Sequence, residues 1–144
     1  MKESSWEECI EFNSAVSISK DKPKAKSLLD TSQARIKFLE GNKANEENVN
    51  FIFEGYYSSA LEMLHALVVV NGYKVTNHIC LGYYLKEVLK KLELYRIFDD
   101  CRIKRNYLVY YGKKLDFESA QGNINKLKNF IKEIKIVLNK EFEK

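Results

Sequence analysis

FIFEGYYSSALEMLHALVVV, residues Phe51 to Val70, decides the fold. The run is apolar almost all the way round a helical wheel, interrupted by Glu54, Glu62 and His65. A helix of that kind belongs at the centre of a bundle, where every face has a neighbour. Asn45 or Asn48 is placed to cap it, and Glu46 and Glu47 sit at the positive end of its dipole. Asn71-Gly72 is the stop signal. Its greasiest part, Ala60 to Val70, is shorter than the roughly 20 apolar residues that a bilayer demands, so a buried core helix is the expected state.

Working outward, five more helical segments fit around it. Downstream, a fourth helix starts at Thr76 or Asn77 and runs to about Lys91, burying Ile79, Tyr83, Leu85, Val88, Leu89 and Leu92. A fifth runs from about Leu94 to Tyr111 and stops at Gly112. A sixth begins at Asp116, where Ile124, Leu127, Ile131, Ile134 and Leu138 recur at three- and four-residue steps with lysines elsewhere. Upstream, the second helix begins at Asp21 with Pro23 in its first turn, where the missing N–H costs nothing, and ends at Gly41-Asn42. The first starts near Ser4 or Ser5, each with a capping-box glutamate three residues on, carries Trp6, Ile10 and Val16, and ends before Asp21. No repeat or strand pair is visible. Long helices with short connections pack as an antiparallel, up-and-down bundle of about five to six helices, an all-α domain.

Composition agrees. The 144 residues are the size of one domain, and 45% hydrophobic with 31% charged residues buries a core while keeping a polar surface. One proline and six glycines are too few for a turn-rich sheet fold. Cys9, Cys80 and Cys101 are far apart and odd in number, which speaks against a disulfide framework or a structural zinc site. They read as small core residues of a cytoplasmic, reducing compartment. The acidic, polar start of the chain does not resemble a secretory leader. A net charge of +4 permits contact with nucleic acid without arguing for it.

The fifth helix departs from a plain amphipathic pattern. Arg105 falls on the stripe of Phe98, Cys101, Leu108 and Gly112. A guanidinium among apolar groups keeps its charge and needs an acceptor. Glu62 is the first candidate and Glu54 the second. Asp99, Arg102, Asn106 and Tyr110 form a polar stripe on the adjacent face. The plain account is a snorkelling arginine beside an Asp99–Arg102 surface pair. The functional account is an anion site of Arg105, Asn106 and a nearby phenol.

The stretch Arg105-Asn106-Tyr107-Leu108-Val109-Tyr110-Tyr111-Gly112 resembles the signature of HEPN domains, in which Arg, often followed by Asn, precedes a His four to six residues on. Tyr56 to Ala66 resembles their first core helix, and Gly72-Tyr73-Lys74 with Asn77-His78 resembles the turn into their next one. The resemblance covers residues 45–144; residues 1–44 read as extra helices packed on that core within one domain. It implies a homodimer, metal-independent RNA cleavage in many members, and a nucleotidyltransferase partner in toxin–antitoxin pairs for others. It implies that Arg105 stabilises phosphate charge and that Asn106 orients the site, which suits guanidinium chemistry.

Here the fifth and sixth residues after Arg105 are Tyr110 and Tyr111, not His. A phenol with a pKa near 10 is a poor base at neutral pH. On an unbroken helix Arg105 and Tyr110 point about 140° apart. The expected function is therefore a weakly active or non-catalytic RNA- or nucleotide-binding module. The alternatives are a metal-independent ribonuclease using Arg105 with Tyr110 or Tyr111, and a purely structural helical interaction protein. Glu62, Arg102 and His78 are supporting candidates, with His78 a cap or buttress and His65 a core histidine. No metal, cofactor or membrane is expected. The tyrosines that mix with lysine and arginine read first as a half-buried core rim and second as base-stacking groups.

Overall fold

The computed structural model describes residues 2–144. Its helices are α1 (Trp6–Glu11), α2 (Lys22–Glu40), α3 (Val49–Val70), α4 (His78–Tyr83), α5 (Leu92–Tyr111) and α6 (Phe117–Phe142). Helix α3 is the axis of the bundle. Fifteen of its 22 residues are buried, and it packs chiefly on α2 and α6. Helix α2 comes close at Gly55, where an added Cβ would meet Leu39 Cδ2 at 2.7 Å and the leucine side chain would have to shift. Helix α6 is one-sided, burying Ile124, Leu127, Ile131, Ile134 and Leu138. Among the described residues no helix is long and apolar enough to cross a membrane.

Local signals end the helices as the residues dictate. Asp21, Asn77 and Asp116 each accept a hydrogen bond from a backbone N–H in the first turn of the helix that follows. Helix α5 ends at Gly112, whose φ of 62° lies in the left-handed region that glycine enters without strain. Helix α4 continues as a π-helical turn, Tyr84–Val88, and closes at Lys90, a non-glycine residue at φ 57°.

Two features depart from the expectations above. The first helix stops at Glu11, well short of Asp21, because Asn13 turns the chain at φ 61°. Strand β1 (Ala15–Ser17) follows and pairs antiparallel with β2 (Tyr73–Val75), Val16 opposite Lys74. A three-residue strand whose partner lies almost sixty residues away leaves no periodicity to read.

The second correction concerns the cysteines. All three are fully buried, but Cys9 of α1 and Cys80 of α4 form a disulfide, with Cα atoms 6.0 Å apart. Free thiols at those two positions, and the reducing compartment they implied, lose their basis. An odd cysteine count concealed one long-range pair. Cys101 is the free thiol, and burial pushes it up to about 12, so it stays protonated and inert at neutral pH.

The cross-link closes a 71-residue separation, for which chain entropy alone contributes about 4 kcal/mol. Reduction, or Cys9→Ser with Cys80→Ser, is expected to lower the Tm by about 10 °C in calorimetry. An unchanged Tm would show that the bond does not constrain the unfolded chain.

Candidate anion-binding site

The site is built where the second half of α5 crosses α3 beside the start of α4. Phe98 of α5 is fully buried and stacks on Tyr57 of α3, ring centroids 5.6 Å apart and planes 13° from parallel; its other neighbour is Phe130 of α6, at 6.1 Å. Two helical turns beyond Phe98, Arg105 comes down on the same Tyr57 ring, its Cζ 5.8 Å from the centroid. A row of aromatic rings thus runs from the core to one guanidinium.

That guanidinium is not offset by a carboxylate. Arg105 Nε is buried and has no hydrogen-bond partner among the described residues. The expected partner Glu62 instead pairs with Arg35 of α2. The correction has a simple cause. Glu62 lies five residues beyond Tyr57, about 140° around α3, and so faces a different neighbour. No ion pair involving Glu54 is present among the described residues either. The Tyr57 ring face is the principal compensation for Arg105, a cation–π contact of about 1 kcal/mol.

His78 joins the cluster from α4. Its Nδ1 lies 2.9 Å from the Tyr57 hydroxyl. Burial first, then the charges of Arg105, His65 and Arg102, hold the imidazole down at about 4, so it is neutral at pH 7. Burial likewise pushes the Tyr57 phenol well above its ordinary range, which keeps it protonated. Asn77 secures the turn before His78 from both sides: its Oδ1 accepts from Cys80 N at 2.8 Å, and its Nδ2 donates to Glu3 Oε2 at 3.1 Å.

These groups line a groove of about 260 Å³, formed by the Thr76-Asn77 turn, His78 and Ile79 on one side and Arg102, Arg105, Asn106 and Tyr110 on the other. Arg102 is tied to Asp99 through Nε at 3.0 Å and Nη2 at 2.9 Å, as the i, i+3 spacing predicts, so Arg105 supplies the uncompensated charge. Tyr110 borders the groove although it points well round the helix from Arg105, because Arg102 and Asn106 lie between them. Tyr111 does not. It lines an adjoining hollow of about 390 Å³ with Lys2, Arg102, Ile103, Asn106 and Tyr107. His65 stands half-buried on α3, its pKa lowered by burial and Lys24.

Arg105, Asn106, Arg102, His78 and Tyr110 are therefore brought together, while Glu62 is not and Tyr111 is set to one side. The residue that sequence reasoning missed as a functional group is Tyr57. It looks like one more core aromatic, and only its contacts with Arg105 and His78 distinguish it. Among the described residues no group of His, Cys, Asp and Glu side chains is arranged to hold a metal ion. Compared with protein-family models, curated proteins and solved structures, the chain matches none.

His78 is expected to titrate near pH 4 when its ring carbons are followed by NMR, and Arg105→Ala is expected to move that midpoint upward. The unfolded imidazole takes up its proton near 6.5 and the folded one near 4. Between those values the unfolded state binds more protons, so this group lowers stability as the pH falls through the window and has no effect above it. A midpoint near 6.5 in the folded protein would show that His78 faces water and not Arg105.

Proposed function

We propose that the chain is a HEPN-like module that binds RNA or nucleotide phosphate in the Arg105 groove and acts with a nucleotidyltransferase-type partner, in the manner of a toxin–antitoxin pair. One observation carries this reading: a guanidinium held over an aromatic ring, with no carboxylate paired to it among the described residues, at the wall of a groove. A phosphate in the groove supplies the negative charge that no carboxylate of the protein offers Arg105, and arginine binds phosphate through paired N–H groups. Asn106 borders the same space and supplies a further polar side chain, whereas Asn77 is engaged by Cys80 and Glu3 and serves to hold the turn. The family component, including pairing as a homodimer, rests on the resemblance of Arg105-Asn106 and the Tyr56–Ala66 run.

A second reading, metal-independent RNA cleavage, is favoured by His78. It brings to the groove the imidazole that the segment after Arg105 lacks; held down at about 4 it is neutral but only weakly basic at pH 7, so cleavage requires a bound phosphate to raise it by offsetting the Arg105 charge. The Tyr57–His78 hydrogen bond divides the two readings. If the phenol donates to Nδ1, the proton of the neutral ring sits on Nε2, and His78 is a donor to phosphate. If Nδ1–H donates to the phenol oxygen, Nε2 carries the lone pair and can accept a proton from a ribose hydroxyl.

Binding of a short labelled RNA and of a nucleoside monophosphate, followed by anisotropy and calorimetry at low salt, is expected to weaken about tenfold or more in Arg105→Ala, the scale of a charge-assisted hydrogen bond. Bound phosphate should also raise the His78 midpoint by offsetting the Arg105 field. RNA left intact in the presence of chelator fits the binding module. Cleavage that survives chelator and is lost in both Arg105→Ala and His78→Ala fits the second reading. If neither ligand binds, both readings fall.

A further inference from the structure

The outer face of α5, beyond the groove, is unusual for a helix exposed to water. Tyr107, Tyr110 and Tyr111 are 48%, 69% and 77% exposed. Three large, largely exposed rings within five residues form a concentration of aromatic surface that water alone does not favour. The Tyr107 and Tyr111 rings stand 5.9 Å apart at an interplanar angle of 44°, and Lys113 Nζ lies over the Tyr107 ring at 5.4 Å. From Arg102 to Lys114 the chain carries five basic residues, three tyrosines and no acidic residue.

Helical geometry orders these groups. At about 100° per residue, Arg105, Arg102, Asn106, Tyr110, Tyr107 and Tyr111 follow one another around the α5 surface in that sequence. Cations occupy one end of the fan and phenols the other. Arg102 and Asn106 line both the groove and the adjoining hollow, so the two spaces form one continuous surface. Along the axis, Arg105 and Tyr111 are separated by about 9 Å.

We propose that this face of α5 is a stacking platform for a single-stranded nucleic acid, with a phosphate held at Arg105 and the neighbouring bases laid on Tyr110, Tyr107 and Tyr111. The proposal rests on the phosphate reading above and names the ligand class of that site. Unpaired bases present flat faces that stack on aromatic rings with little regard to sequence, and a basic track follows their backbone. A duplex keeps its bases stacked on one another and offers the tyrosines nothing comparable. A second copy of the chain is the poorer occupant. A two-fold interface would bring two copies of this stretch together, five basic residues from each and no acidic residue in either to pair them.

The test uses labelled octanucleotides of RNA and of DNA, with an abasic octamer as the control for phosphate contacts alone. The wild-type protein is expected to bind the base-bearing strands more tightly than the abasic one. Tyr110→Ala with Tyr111→Ala is expected to reduce that affinity between about 5- and 100-fold, toward the abasic level, and Tyr110→Phe with Tyr111→Phe to retain it. Both positions are exposed, so the alanine pair should melt like the wild type. Arg105→Ala is expected to weaken all strands, the abasic one included. Equal affinities of RNA and DNA place the recognition in the bases, and a preference for RNA adds the ribose hydroxyl to the same platform.

Unchanged binding in the alanine pair overturns the platform. If Arg105→Ala still weakens binding in that case, the phosphate reading survives alone. Failure of every strand to bind, with a concentration-dependent dimer that the alanine pair abolishes in sedimentation, also overturns it and assigns the face to a second copy. Tyrosine-dependent binding that is indifferent to Arg105→Ala upholds stacking and removes the phosphate from the groove.

Discussion

The cation on α5 is the constraint around which the site is arranged. Arg105 cannot shed its proton, its Nε is shut away from water, and the acid that could have neutralised it is engaged elsewhere by Arg35. What holds it in place is aromatic: the Tyr57 face below it, with Phe98 and Phe130 continuing the row into the core. That arrangement needs α3, α5 and α6 to meet at fixed distances, so the packing of the bundle and the properties of the groove are one structural problem. The same charge also acts on His78, where with burial it favours the neutral ring.

Helices were legible because their signals are local. The all-apolar Phe51–Val70 run, the three-and-four spacing of α6, and the polar caps at Asp21, Asn77 and Asp116 can each be read within a few residues, and each corresponds to an element observed. What could not be read joins distant parts of the chain. The Val16–Lys74 strand register, the Cys9–Cys80 bond and the meeting of His78 with Tyr57 connect residues 58, 71 and 21 positions apart. Spacing along a sequence is silent about such pairs.

The site was partly visible for the same reason. Arg105, Arg102, Asn106 and Tyr110 share one helix, so periodicity alone placed them near each other, and the Asp99–Arg102 pair follows from its spacing. Choosing a partner for Arg105 required the rotational setting of α3, which its uniformly apolar surface does not disclose. Glu62 was therefore assigned to the wrong side. The tyrosines of α5 were misread in the opposite sense. Tyr84 is buried, but Tyr107, Tyr110 and Tyr111 stand out in solvent, because α5 buries only Phe98 and Cys101 fully and leaves its second half largely uncovered.

The covalent link between α1 and α4 gives the molecule a ring. Residues 9 to 80 form a closed loop that contains the whole of α2 and α3, with the C-terminal helices attached as a tail. A protease that nicks this loop once, for instance in the turn between α2 and α3, opens the ring without dividing the molecule. The cut protein would still migrate as one species until a thiol reagent released its two pieces.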